Sequence, residues 1–108
     1  MIKNAGVSNG WTVLSVNSET VDSSNVFQFK AGMQPFRTAG AKLILDLGAV
    51  EFMDSSALGA LLTATRAVEA SGGALRLVSL TPPVRTLFEL VRLHRVFDIM
   101  NDLAEAAA

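Results

Sequence analysis

The stretch that decides the fold is residues 42–62, KLILDLGAVEFMDSSALGALL. Its first part, residues 42–47, is a short apolar run, which is typical of a strand buried on both faces in a parallel sheet. Asp54, Ser55 and Ser56 are residue types that cap the N-terminus of a helix, and an apolar helical stripe follows them. This pattern predicts a strand, a short loop and a helix over about residues 55–71, ended by Gly72 and Gly73.

The sequence before this stretch predicts a hairpin and a helix. Residues 11–16 alternate apolar and polar side chains and are rich in β-branched types, which predicts a strand. Residues 2–7 are expected to pair with it as a first strand, across a turn at Asn9 and Gly10. A helix is expected from about residue 24, with a kink or an early end near residue 34, because Pro35 cannot donate a backbone hydrogen bond.

The sequence after this stretch continues the alternation of strands and helices. Residues 74–80 predict a strand, Thr81 and Pro82 begin a helix, residues 95–99 look like a short last strand, and residues 102–108 could begin a terminal helix. Strand–helix–strand units with short loops favour parallel pairing. We therefore expect one α/β domain over residues 1–108, with these core residues: Leu45, Leu47, Leu58, Leu61, Leu62, Leu77, Leu87 and Phe88.

Composition excludes several classes of protein. Nine Lys and Arg residues against ten Asp and Glu residues give a net charge of −1, which argues against a nucleic-acid partner. The chain has no cysteine and one histidine, so disulfides, thiolate zinc sites and iron–sulfur clusters are excluded. Residues 1–6 make a poor signal peptide, and no apolar run approaches the roughly 20 residues of a membrane span. We expect a soluble, cytoplasmic protein without membrane insertion.

Catalytic signatures are weak. The chain has no Gly-x-Ser-x-Gly elbow and no phosphate-binding glycine motif. His94 is the only candidate imidazole base, and it is expected to be a surface residue. Asp46, Glu51 and Asp54 could be imagined around a magnesium ion, but strand-end and capping roles account for them better. The sequence therefore predicts a protein that is not an enzyme and has no cofactor and no metal.

The helix that begins at Ser55 has one unusual face. With 100° per residue, Leu58, Leu61, Leu62 and Thr65 define an expected inward stripe, with Ser55 at its edge and Ser56 nearly opposite. Ser56 is therefore predicted to be accessible, and Ser55 more buried. Ala60, Thr63 and Ala67 share the side of Ser56, and this small, nearly uncharged face has two open explanations. Alanine is a good helix former, and small residues also let another protein approach closely.

The same residues resemble a known family. Leu45-Asp46-Leu47, followed by residues 50–62, VEFMDSSALGALL, is similar to the signature of the STAS domain family of bacterial anti-sigma factor antagonists. The resemblance covers roughly residues 11–103 and includes Gly72-Gly73, Leu93 and residues 96–99. It implies a single STAS-like α/β domain, in which a small mixed β-sheet has helices packed mainly on one face.

The resemblance also implies a function in a partner-switching pathway. Such an antagonist binds an anti-sigma factor that is also a serine kinase, and this binding frees the sigma factor. The kinase phosphorylates the second serine, here Ser56, which blocks binding, and a PP2C-type phosphatase reverses the modification. The residues implied in partner binding are Asp22, Asp54, Ser55, Ser56, Ala57, Ala60 and Thr63.

A second function remains open at this stage. The family also supplies accessory subunits to membrane transport complexes of the lipid-export or ABC type. In that case Ser56 would only cap the helix, without a phosphate cycle.

Three positions depart from the family pattern. Ala57 stands where the family most often has glycine, which could hinder a close approach by the kinase. Residues 19–22, Glu-Thr-Val-Asp, replace the usual Gly-x-Leu-Asp turn, so a different loop is expected beside the docking surface. Arg92 replaces a common helix-ending glycine, which affects only the local cap.

Overall fold

The strands form one mixed sheet and one small parallel pair. The computed structural model describes residues 1–108. Its strands are β1 (Ile2–Ser8), β2 (Trp11–Val16), β3 (Thr20–Val21), β4 (Lys42–Asp46), β5 (Phe52–Met53), β6 (Ala74–Val78) and β7 (Asp98–Met100). The main sheet has the order β1-β2-β4-β6-β7, and only the β1–β2 pair is antiparallel. The single α/β domain with a mixed sheet is the predicted fold class.

The helices cover the sheet unequally. They are α1 (Val26–Met33), α2 (Ser55–Ala70), α3 (Pro82–Leu90) and α4 (Leu103–Ala106). The first three pack on one face over a core cluster of 23 buried residues. On the opposite face, the C-terminal end of α4 and a few strand residues form a separate cluster of 6 buried residues, which includes Trp11 and Ala106. Helices packed mainly on one face were expected from the family resemblance.

Local sequence signals place most elements correctly. Asn9 and Gly10 both have positive φ, 52° and 84°, which is the backbone of a two-residue hairpin turn between β1 and β2. Pro35 lies in a short 3-10 turn, Gln34–Phe36, directly after α1, so the helix ends early as predicted. Pro82 occupies the first turn of α3, where its missing N–H costs nothing.

Two structural predictions need correction, and one pair of strands was not predicted. The last strand is Asp98–Met100 rather than residues 95–99, because Leu93–Arg95 form a 3-10 turn. Six predicted core residues are buried, but Leu62 and Leu87 are only half-buried at the edge of the core. The pair β3–β5 was not predicted, since two-residue strands are too short to show an alternating pattern.

Candidate functional site

The small β3–β5 sheet brings two distant carboxylates together. Thr20 pairs with Phe52 and Val21 pairs with Met53 in parallel register. The residues that follow on the two strands are Asp22 and Asp54, so both emerge at the same end of this pair. The pairing therefore places the loop before α1 beside the N-terminus of α2, which unites sequence-predicted site residues more than thirty positions apart.

Asp54 joins the two halves of the site. It is the N-cap of α2, and its Oδ1 accepts a hydrogen bond from the Ala57 N–H at 3.0 Å. Its Oδ2 accepts a second hydrogen bond from the Ser23 N–H, also at 3.0 Å. One carboxylate therefore satisfies an unpaired donor of the helix and fixes the neighbouring loop.

Asp22 holds the shape of that loop. Its Oδ1 accepts hydrogen bonds from both the N–H and the hydroxyl of Ser24, and its own N–H donates to Asn25 Oδ1 at 2.9 Å. The hydrogen bond from the Ser24 hydroxyl is the largest cause, and that from the Ser24 N–H the second, of an Asp22 pKa lowered below 3.8. The carboxylate is therefore charged at neutral pH, and the loop is ordered by polar contacts rather than by the usual family turn residues.

The two serines lie at the first two positions of α2, but their exposure differs from the prediction. Ser55 is exposed and Ser56 is half-buried, so the predicted order of accessibility is wrong. The side of α2 that carries Ser56 borders α1, a neighbour that the helical wheel did not include. Their backbone N–H groups fall in the first helical turn, where no intrahelical acceptor exists and negative charge is favoured.

The small face of α2 is also rotated from its predicted orientation. Ala57 is fully buried and Ala60 is nearly so, whereas Thr63 is exposed. The inward face of α2 is centred on Leu61 and Val68 and includes Ala57, Ala60 and Ala64, because both α1 and the sheet pack against the helix. The methyl group of Ala57 consequently points into the core, where it does not obstruct a partner at the surface.

A cavity of about 600 Å³ lies between α1 and α2 and includes both serines in its lining. The side of α2 contributes small residues, among them Ala60 and Thr63, and the side of α1 contributes Lys30. Arg37, just after α1, lines the same cavity. The predicted partner-binding residues Ser55, Ser56, Ala60 and Thr63 therefore border one concave surface.

Sequence reasoning missed the residues that α1 brings to this cavity. Lys30 and Arg37 are ordinary surface cations in the sequence, and nothing local connects them to Ser56. The available signal was the buried stripe of α1, Val26, Phe29 and Met33, which shows the face that approaches the core. Lys30 directly follows Phe29, so it flanks this stripe.

Asp46 and Asp54, two of the residues considered for metal chemistry, have local structural roles. Asp46 Oδ1 accepts a hydrogen bond from the Gly48 N–H at 2.7 Å, which stabilises the turn after β4. Asp54 caps α2, as the sequence indicated. His94 is exposed in the 3-10 turn after α3.

Comparison with known proteins identifies the family. The model of the STAS domain family matches residues 3–106. A candidate anti-sigma factor antagonist of Bordetella bronchiseptica, BtrV, is 30% identical over 89 residues, which are 82% of this chain and 77% of BtrV.

Two solved structures share the fold over nearly the whole chain. A candidate anti-sigma factor antagonist of Thermotoga maritima is 27% identical, with a TM-score of 0.81 over 97% of this chain and 90% of that protein. The Bacillus cell fate determinant SpoIIAA in its phosphorylated form is 26% identical, with a TM-score of 0.69 over 99% of this chain and 96% of that protein.

None of the four helices is long and apolar enough to cross a membrane.

The family model covers both sheet edges, all three large helices and the site around Asp22, Asp54 and Ser56. The chain therefore belongs to the STAS domain family.

Proposed function

We propose that this protein is a phosphorylatable anti-sigma factor antagonist that acts by partner switching in the cytoplasm. Its unphosphorylated form binds an anti-sigma factor that is also a serine kinase, and phosphorylation of Ser56 blocks that binding. The observation that carries the proposal is Ser56 itself, a half-buried serine in the first turn of α2, beside the loop that Asp54 holds. The relatives named as anti-sigma factor antagonists support this role.

The local structure suits a serine that carries a phosphate reversibly. A phosphoserine adds about −1.5 to −2 charges at neutral pH. The first turn of α2 offers unpaired N–H groups and the positive end of the helix dipole, and Lys30 lines the adjoining cavity. The folded protein should therefore tolerate the phosphate without rearrangement.

The effect on binding is expected to be much larger. The α2 side of the surface around Ser56 is built from serines, alanines, a glycine and a threonine, and the charged residues of the cavity are cations. A partner that fits the unphosphorylated surface has no counter-charge of its own for the added phosphate, which it would have to bury on binding. The phosphate thus acts by direct obstruction, and a PP2C-type phosphatase would restore binding by removing it.

Phosphorylation by the kinase tests this function. The protein is incubated with ATP and the serine-kinase anti-sigma factors of its own genome, and mass spectrometry locates the phosphate. We expect one phosphate on Ser56, none in Ser56→Ala, and an unchanged yield in Ser55→Ala. Phosphate on Ser55, or persistence of the full yield in Ser56→Ala, would contradict the proposal.

Phosphorylation and co-purification together distinguish the switch from the transport-subunit function. An accessory subunit without a phosphate cycle would receive no phosphate and would co-purify with an ATPase and a permease. Binding of the protein to a kinase, together with phosphate on Ser56, supports the switch instead.

A further inference from the structure

The cavity between α1 and α2 has an unbalanced charge. Its two ionisable lining residues are Lys30 and Arg37, and no carboxylate lines it. The one ion pair of the chain joins Arg76 on β6 to Asp98 on β7, away from the cavity, so neither cavity cation has an acidic partner within the molecule. A chain with a net charge of −1 thus keeps a local basic site next to Ser56.

Arg37, which lines the cavity, has side-chain donors that the protein itself leaves largely unpaired. Its Nε is buried and has no hydrogen-bond partner. Its Nη1 reaches only Gln34 Oε1, at a long 3.4 Å. A buried donor without an acceptor is costly, and most such groups in proteins are paired. Because Nε is buried, a docking carboxylate would meet the accessible Nη end of the Arg37 guanidinium, whose two parallel N–H groups also match the two oxygens of a carboxylate.

The shape of the cavity leaves room for that carboxylate. On the α2 side, a Cβ added at Gly59 would meet nothing within 4 Å, so the space beside the helix backbone is open. Ala60 and Thr63 continue this low wall, while Phe29 and Met33 form an apolar floor on the α1 side. The volume of about 600 Å³ is enough for a few protruding side chains of another protein.

We infer that this cavity receives an acidic side chain, Asp or Glu, of the protein that docks on Ser56, and that Arg37 pairs with it. The inference rests on the proposed function, because it names a contact of the same partner surface. Lys30 adds favourable charge at the cavity without a bidentate fit. A phosphate on Ser56 would place its negative charge at the same cavity, where it repels the incoming carboxylate and competes for the cations.

Charge variants measured against the kinase test this contact. Arg37→Gln and Arg37→Glu should weaken affinity for the unphosphorylated protein, the charge reversal by roughly 30-fold or more. Lys30→Gln should have a smaller effect. Arg66→Glu is the matched control, because Arg66 is an exposed cation of α2 outside the cavity, and it should change affinity less than about 2-fold. Melting curves of all variants establish that each is folded.

The outcomes separate this inference from the proposed function. If the wild type binds the kinase and is phosphorylated on Ser56, but both Arg37 variants bind equally well, the acidic contact is wrong and the switch stands. If no kinase binds the wild type, the proposed function fails and a measurement without the partner decides the contact.

That measurement uses two small probes, the acetylated methylamides of glutamate and of glutamine. Each is titrated into ¹⁵N-labelled protein, and the amide signals of Thr63 and the Arg37 Nε–H signal are followed by NMR. We expect saturable shifts with the glutamate probe that are absent with the glutamine probe and abolished in Arg37→Gln. Equal shifts with both probes, or none at these signals, would overturn the inference.

Discussion

Removing the carboxylate of Asp54 should separate the site into two independent parts. In Asp54→Ala, the Ala57 N–H loses its cap, which typically costs about 0.5–2 kcal/mol. The Ser23 N–H loses a charged acceptor at the same time, and hydrogen bonds to charged groups contribute about 1.5–3 kcal/mol each. Since Asp54 is partly exposed, we expect a total loss of about 2–4 kcal/mol in the free energy of unfolding. Asp54→Asn keeps one carbonyl acceptor and should lose about half as much.

Urea unfolding measures the loss, and hydrogen exchange locates it. Exchange should accelerate at both Ser23 and Ala57, although the two amides lie on different elements. Asp102→Ala is the control, because Asp102 caps the four-residue α4 with a single hydrogen bond to the Glu105 N–H and should cost about 1 kcal/mol or less. A loss below about 0.5 kcal/mol in Asp54→Ala, or unchanged exchange at Ser23, would refute the idea that one carboxylate joins the loop and the helix.

Three further predictions follow from single residues. Leu61→Ala should lower the free energy of unfolding by about 2–5 kcal/mol because Leu61 is fully buried, whereas Leu62→Ala at the edge of the core should lower it clearly less. Equal losses of the two variants in urea unfolding would contradict the assignment of the buried face. Arg92→Gly should stabilise the protein by up to about 1 kcal/mol, because Arg92 has a left-handed backbone with φ of 59°, and a lower melting temperature would oppose this. Ser24→Ala should raise the pKa of Asp22 in an NMR titration, since the hydroxyl is the main cause of its lowering. An unchanged Asp22 pKa in Ser24→Ala would contradict this assignment. Because the pKa of Asp22 in the folded protein is below 3.8, its contribution to stability is present above pH 3.8 and disappears as the pH falls through the folded pKa.

Much of the fold could be predicted because its signals are local. The alternation of residues 11–16, the capping run at Asp54 and Pro82 at the first position of α3 are local features, and each predicts one element without reference to a distant partner. The last strand was misplaced because the polar turn at Leu93–Arg95 carries no breaking residue, and Arg92 adopts a backbone usually left to glycine.

The candidate site could be predicted only in part, because it depends on contacts between distant segments. The Asp54 cap follows from sequence, but its second bond to Ser23 requires the β3–β5 pair, which is too short to detect. The predicted exposure of Ser56 was wrong because both the sheet and α1 pack against α2, and its alanines face inward as a result. Arg37 could not be connected with the serines, since only tertiary packing places both around one cavity.

The central claim is that a phosphate on Ser56 controls binding without changing the fold. The most direct test is the affinity of the serine-kinase anti-sigma factor for the unphosphorylated and the Ser56-phosphorylated protein, measured by calorimetry. An uncompensated charge at an interface costs about 2–5 kcal/mol, so the phosphoprotein should bind at least roughly 30-fold more weakly while its melting temperature stays the same or rises slightly. Equal affinity of the two forms would contradict the account.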